Sequence, residues 1–100
     1  MDFINSKQDL INYFQEGCKK EDQLSIGVEH EKFLFDGHSN QRVNFETITK
    51  VLNFLEKFGW KSIKEKNNVI ALKREDQSIT LEPGNQIELS GARLKSIHLT

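Results

Sequence analysis

One hundred residues make one domain at most, with 36% hydrophobic residues for a modest core and 29% charged residues for its surface. A formal net charge of -1 and a pI near 6.3 remove the electrostatic case for a nucleic acid or an anionic membrane as partner. The mean hydropathy is -0.59, and no apolar stretch approaches the roughly 20 residues that span a bilayer, so no transmembrane helix is expected. The single cysteine, Cys18, excludes an internal disulfide and a Cys-cluster zinc site. The opening residues lack a basic region followed by an apolar core, so no secretory signal is expected. A reducing, cytoplasmic setting is the default for such a chain.

The first predicted element is a short helix. Ser6 can cap it, Asp9 completes a capping-box-like pair, and Leu10, Ile11 and Phe14 share one face before Gly17 stops it. A charged connector, 19–23, leads to a predicted strand over 24–35. Period two places Ile26, Val28, His30, Lys32 and Leu34 on one face and Gly27, Glu29, Glu31, Phe33 and Phe35 on the other. Asp36-Gly37 reads as a turn.

Over 44–58 the period becomes helical. Phe45, Ile48, Val51, Leu52, Leu55 and Phe58 form a broad apolar stripe, with Asn44 as cap and Gly59 as stop, and Trp60 is expected to pack back on the core. Two short strands follow at 69–73 and 78–82, joined as a hairpin whose register no tight-turn dipeptide fixes. Pro83-Gly84-Asn85 interrupts the chain and a strand resumes over 86–89. Residues 94–100 read as the start of another helix. This order predicts an α+β unit with a largely antiparallel sheet covered by helices.

The residues that carry chemistry are carboxylates. Glu29 and Glu31, two apart on a strand, project from one face, and Gln86 and Glu88 share a face for the same reason. Glu82 precedes the proline, so its facing is open. If the two stretches are sheet neighbours, three or four carboxylates converge. Magnesium, which prefers oxygen ligands and carboxylates, would offset their repulsion. The bland alternative is the wet face of a strand, with ion pairs to Lys32, Lys73 or Arg74. His30 points away from Glu29 and Glu31 in a regular strand, and His38 and His98 lack zinc-like spacing. Cys18 reads as an inert thiol, because no oriented base accompanies it.

The stretch Ile26-Gly27-Val28-Glu29-His30-Glu31-Lys32-Phe33 resembles the IG-x-EHEKF segment of the glutamate–cysteine ligase family, in its plant and proteobacterial branch. Ile79-Thr80-Leu81-Glu82-Pro83-Gly84-Asn85-Gln86-Ile87-Glu88-Leu89-Ser90-Gly91-Ala92 resembles that family's LEPGGQ-x-ELSGAP segment, and Leu94 with His98-Leu99-Thr100 resembles the continuation. Two departures stand out. Asn85 replaces the second glycine of PGG, a change that asparagine's tolerance of left-handed backbone permits. Arg93 replaces the proline after SGA. The redox-regulatory cysteines of the plant enzymes have no counterpart.

The resemblance implies a glutamine-synthetase-like catalytic fold, incomplete here, and an ATP-dependent ligase that joins L-cysteine to the γ-carboxylate of L-glutamate with Mg2+. Carried over by motif, Glu29, Glu31, Glu82 and Glu88 are the candidate magnesium ligands, with Gln86 as a neighbouring substrate-side contact. Such enzymes are several times longer. Residues 1–100 are therefore expected to form an N-terminal portion of the catalytic domain, inactive alone and completed by further polypeptide or a complementary chain. A non-catalytic interaction domain and a ligase using another amine remain as alternatives.

Overall fold

A computed structural model describes residues 3–100. The reading of the chain start as lacking a secretory signal includes Met1 and Asp2, which lie outside that range. No helix among the described residues is long and apolar enough to cross a membrane.

The first helix, α1 (Lys7–Glu16), begins where its cap predicts: the Ser6 side chain accepts from the Asp9 amide at 3.1 Å. It ends at Gly17. None of its residues is buried, and Phe14 remains 68% exposed. Its apolar face is therefore not buried against the rest of the described chain.

The predicted strand over 24–35 is shorter, β1 (Glu29–Phe33). Upstream, Ile26 forms an isolated bridge with Leu94, and Val28 accepts from the Gly91 amide at 2.8 Å. Downstream, the Asp36-Gly37 turn brings the chain back, so that Phe35 bridges Arg42 and the Val43 amide donates to Leu34.

Next comes α2 (Phe45–Leu55), where the Asn44 side chain accepts from the Thr47 amide at 2.9 Å. A 3-10 turn, Glu56–Phe58, tightens its end, and Gly59 exits at φ 86, a left-handed conformation that glycine adopts without a Cβ clash. The strands β2 (Lys61–Glu65), β3 (Asn68–Arg74), β4 (Gln77–Glu82) and β5 (Gln86–Ser90) follow.

The five strands form one antiparallel sheet in the order β1-β5-β4-β3-β2. Strand β2 has no counterpart among the predicted elements. Its sequence, KSIKE, holds one apolar residue among charges, as befits a sheet edge. The residues between β2 and β3, Lys66 and Asn67, both have positive φ, which closes a two-residue hairpin with the right-handed strand twist. In the β3–β4 hairpin, Glu75 takes the positive φ and Arg74 pairs with Gln77, which sets the register left open by the sequence.

Helix α2 lies on one sheet face. Ile48 and Leu52, one turn apart, are fully buried with Leu72 and Val69, and Ile79 joins them. Val69 and Leu72 are three residues apart, which in a regular strand would put them on opposite faces. A register shift pairs Ile63 with Ala71 and Lys64 with Val69, leaving Ile70 as the extra residue of a bulge, so both side chains reach the core. Trp60 packs against this core as expected. The predicted final helix is absent. Leu94 is held by Ile26, and only a 3-10 turn, Ile97–Leu99, capped by Ser96, follows.

Candidate metal-binding face

Residues directly paired in an antiparallel ladder project to the same side of the sheet. The register therefore assigns three polar rows to the side opposite α2. The first is Phe33, Gln86 and Glu82; the second is Glu31, Glu88 and Thr80; the third is Glu29, Ser90 and Ser78. The facing of Glu82, open in the sequence, is settled by its pairing with Gln86 across the Pro83-Gly84-Asn85 loop.

Glu31 and Glu88 are direct cross-strand neighbours, and Glu82 lies diagonally across from Glu88. Carboxylate oxygens of Glu31, Glu82 and Glu88 lie within 4.8 Å of one another. Glu29 shares the face, but its carboxylate lies outside this triad. Gln86 stands beside Glu82, and its amide group donates to the Pro83 carbonyl at 3.4 Å. Glu31 is exposed, whereas Glu82 and Glu88 are half-buried.

Two hydroxyls orient the half-buried pair. Thr80 Oγ1 donates to Glu82 Oε1 at 2.7 Å, and Ser90 Oγ donates to Glu88 Oε1 at 2.8 Å. Each link joins residues two apart on a strand, so the same period that located the carboxylates also contains these partners. Their role goes unread in the sequence because a hydroxyl in a strand is unremarkable until an acceptor beside it is known to need orienting.

The ion-pair alternative does not hold. Among the described residues the only salt bridge is Lys50–Glu46, on the surface of α2. Lys32 alternates to the α2 side of the sheet, paired with Ile87. Arg74 stacks over the Trp60 ring at 4.6 Å and donates to the Phe58 carbonyl. Lys73 shares the polar side beside Ser78 without reaching a carboxylate. Three like charges thus converge without an ion pair to a cationic side chain among the described residues. Such an all-oxygen anionic set suits a hard divalent cation. His30 falls on the opposite face, paired with Leu89, and stands apart from the triad as expected.

The carboxylate face is bounded at one end by Arg42. Its guanidinium lies 4.0 Å from the centre of the Phe33 ring and donates to the Gly84 carbonyl. No local pattern marks this residue in the sequence. It reaches the face through the loop 36–41, whose turn Asp36 holds by accepting from the Ser39 and His38 amides and the Ser39 hydroxyl. Those donors hold the Asp36 carboxyl below its ordinary value, the Ser39 amide most strongly.

An antiparallel sheet with a helix on one side and converging carboxylates on the other presents an open, oxygen-rich face of the kind that suits a hard cation. Comparison with known families makes the assignment specific. Residues 25–100 match the family model described as glutamate-cysteine ligase family 2, and the chain belongs to that family. It is 49% identical over 96 residues to a chloroplastic glutamate–cysteine ligase of Medicago truncatula, 48% to glutamate–cysteine ligase A, chloroplastic, of Oryza sativa subsp. japonica, and 44% to the chloroplastic enzyme of Arabidopsis thaliana. Each match takes in 95% of this chain and 19%, 20% and 18% of the respective relative. The chain thus spans about a fifth of the length of these relatives.

These relatives are named as chloroplastic, which overturns the expected cytoplasmic setting. The expectation rested on one exposed thiol, Cys18. A lone cysteine reports only that no internal disulfide is needed and does not distinguish one compartment from another.

Proposed function

We propose that residues 1–100 form an N-terminal portion of a glutamate–cysteine ligase catalytic domain and supply the metal-holding wall of its active site. The observation that carries this reading is the triad of Glu31, Glu82 and Glu88, which has no ion pair among the described residues and lies in a chain of this family. Glu31, Glu82 and Glu88 would hold Mg2+, with Glu29 on the same face as a further ligand from the rim and Gln86 as a polar contact toward substrate.

In the proposed reaction, an oxygen of the glutamate γ-carboxylate attacks the γ-phosphorus of ATP and ADP leaves. The cysteine amine then attacks the acyl carbon of the resulting γ-glutamyl phosphate; phosphate departs and the amine gives up its proton. When bound, Mg2+ would neutralise phosphate charge and stabilise the transferring group. The carboxylates of this chain would fix the cation's place, while Thr80 and Ser90 hold two of them in a set orientation, which would reduce reorganisation on binding. The rest of a relative's length would supply the contacts to ATP, glutamate and cysteine. The activity is accordingly assigned to the completed polypeptide.

A chimera tests this directly: the matched 96 residues of the Medicago truncatula relative are replaced by the corresponding stretch of this chain. ATP turnover that requires both glutamate and cysteine, and that is lost in Glu82→Gln and Glu88→Gln, is the expected result. A folded chimera that turns over ATP equally with both glutamines would contradict the metal assignment. A comparison of amines in the continuous enzyme would separate cysteine from another acceptor.

A further inference from the structure

We infer that Arg42 is a positioning residue for the carboxylate triad, acting as a clasp between β1 and the β4–β5 loop. The inference rests on the metal-holding reading above and adds what keeps the three carboxylates in place. Residues 83–85 join the two strands that carry Glu82 and Glu88, so the conformation of this loop sets the relation between them. The loop is held in an uncommon backbone form, with Gly84 at φ 75 and Asn85 at φ 59. Left-handed asparagine costs less than most residues, but it is not free, so an outside contact is needed to favour this one form.

Arg42 provides that contact. Phe35–Arg42 pairing puts Arg42 on the same side as Phe33 and Glu31. Its guanidinium then spans two groups: the Phe33 ring, at 4.0 Å from ring centre, and the Gly84 carbonyl, to which it donates. Phe33 pairs with Gln86, and Gln86 with Glu82. One side chain therefore ties together the row that ends in Glu82 and the loop that separates Glu82 from Glu88. A planar guanidinium can stack on a ring and donate in its own plane at once, which an ammonium cannot do.

The sign of one measurement separates this role from a simple charge effect. A cation beside a metal site weakens metal binding by repulsion, so its removal should tighten binding if charge alone matters. A clasp predicts the reverse. The experiment uses the full chain, with Mn2+ as probe, in wild type, Arg42→Met, Arg42→Lys and Glu88→Gln. Melting temperatures confirm folding. Backbone 15N order parameters at Gly84 and Asn85 report the loop without metal.

In Arg42→Met, the loop order parameters should fall from ~0.85 toward ~0.6, and Mn2+ affinity should fall by about tenfold, the lower range for groups that support metal ligands. Arg42→Lys should lie between wild type and Met. Unchanged loop order, or Mn2+ binding that is unchanged or tighter in Arg42→Met, would overturn the clasp. If wild type binds Mn2+ and Glu88→Gln does not, that failure belongs to the clasp alone. Wild type and Glu88→Gln both failing to bind would overturn the metal reading and the positioning role with it.

Discussion

The two sides of this sheet are built to different rules. On the α2 side, Leu72, Val69 and Ile79 meet Ile48 and Leu52 with almost no exposure, and every packed partner comes from the chain itself. On the other side, Glu31, Glu82 and Glu88 converge, the latter two oriented by hydroxyls, without an ion pair among the described residues. The first side lowers the energy of the fold by removing apolar area from water. The second collects groups that repel one another. The contrast separates what holds the chain together from the face proposed to meet a ligand.

If that division is real, substitutions on the two sides should give different kinds of loss. The largest expected effect is on the packed side. Leu72→Ala removes a fully buried side chain and should cost about 2–5 kcal/mol of stability through lost burial and the cavity left behind. Denaturant or thermal unfolding measures it. Mn2+ affinity of the fraction that remains folded should stay at the wild-type value, and a parallel loss there would break the division.

Glu88→Gln should do the opposite. Its melting midpoint should be unchanged or higher, because one of three mutually repelling charges is gone while the Ser90 hydroxyl keeps an acceptor. Its Mn2+ affinity should fall further than the about tenfold expected for Arg42→Met, because a ligand and not a supporting group is lost. Titration calorimetry gives the number.

Gly59→Ala probes the joint that lets α2 return over the sheet. The residue has φ 86 with open space around it, so the cost is conformational and not steric contact, about 1–2 kcal/mol. Unfolding should register it, with no change in metal affinity.

The smallest effect concerns pH. The Asp36 carboxyl lies below its ordinary value in the folded chain because the Ser39 and His38 amides and the Ser39 hydroxyl donate to it. Its contribution is full above the unfolded value, ~3.9, and is lost as pH falls through the lower folded value. The stability difference between wild type and Asp36→Asn should therefore be level near neutral pH and shrink on acidification below about pH 4. A difference that grows in acid would contradict the hydrogen-bond pattern.

Much of this arrangement is legible in the sequence, and the exceptions have physical causes. The stripe from Phe45 to Phe58 is long enough for its period to be unambiguous, and it yields the observed α2 with its 3-10 end. The alternation around Glu29 and Glu31 finds the right face, because a strand's period holds even where only 29–33 join the ladder. Strand β2 escapes because an edge needs little apolar content. The end of the chain is misread as a helix because Leu94 is captured by Ile26, 68 positions away, a contact that local spacing does not encode. The convergence of Glu82 with Glu31 depends on strand order, and Arg42 on a loop that folds back. Both are tertiary facts. Neither resides in the local pattern that identifies the individual carboxylates.

The polar side of the sheet is proposed as a metal-holding wall. Its most direct test is titration of Mn2+ into the full 15N-labelled chain, with amide signals followed residue by residue. Paramagnetic broadening is expected to centre on Glu31, residues 80–82 and residues 86–88, to be reversed by excess Mg2+ and to be absent when Glu82 and Glu88 are both glutamine. Broadening spread over exposed acidic groups such as Glu21 and Asp22, or none at all, would contradict it.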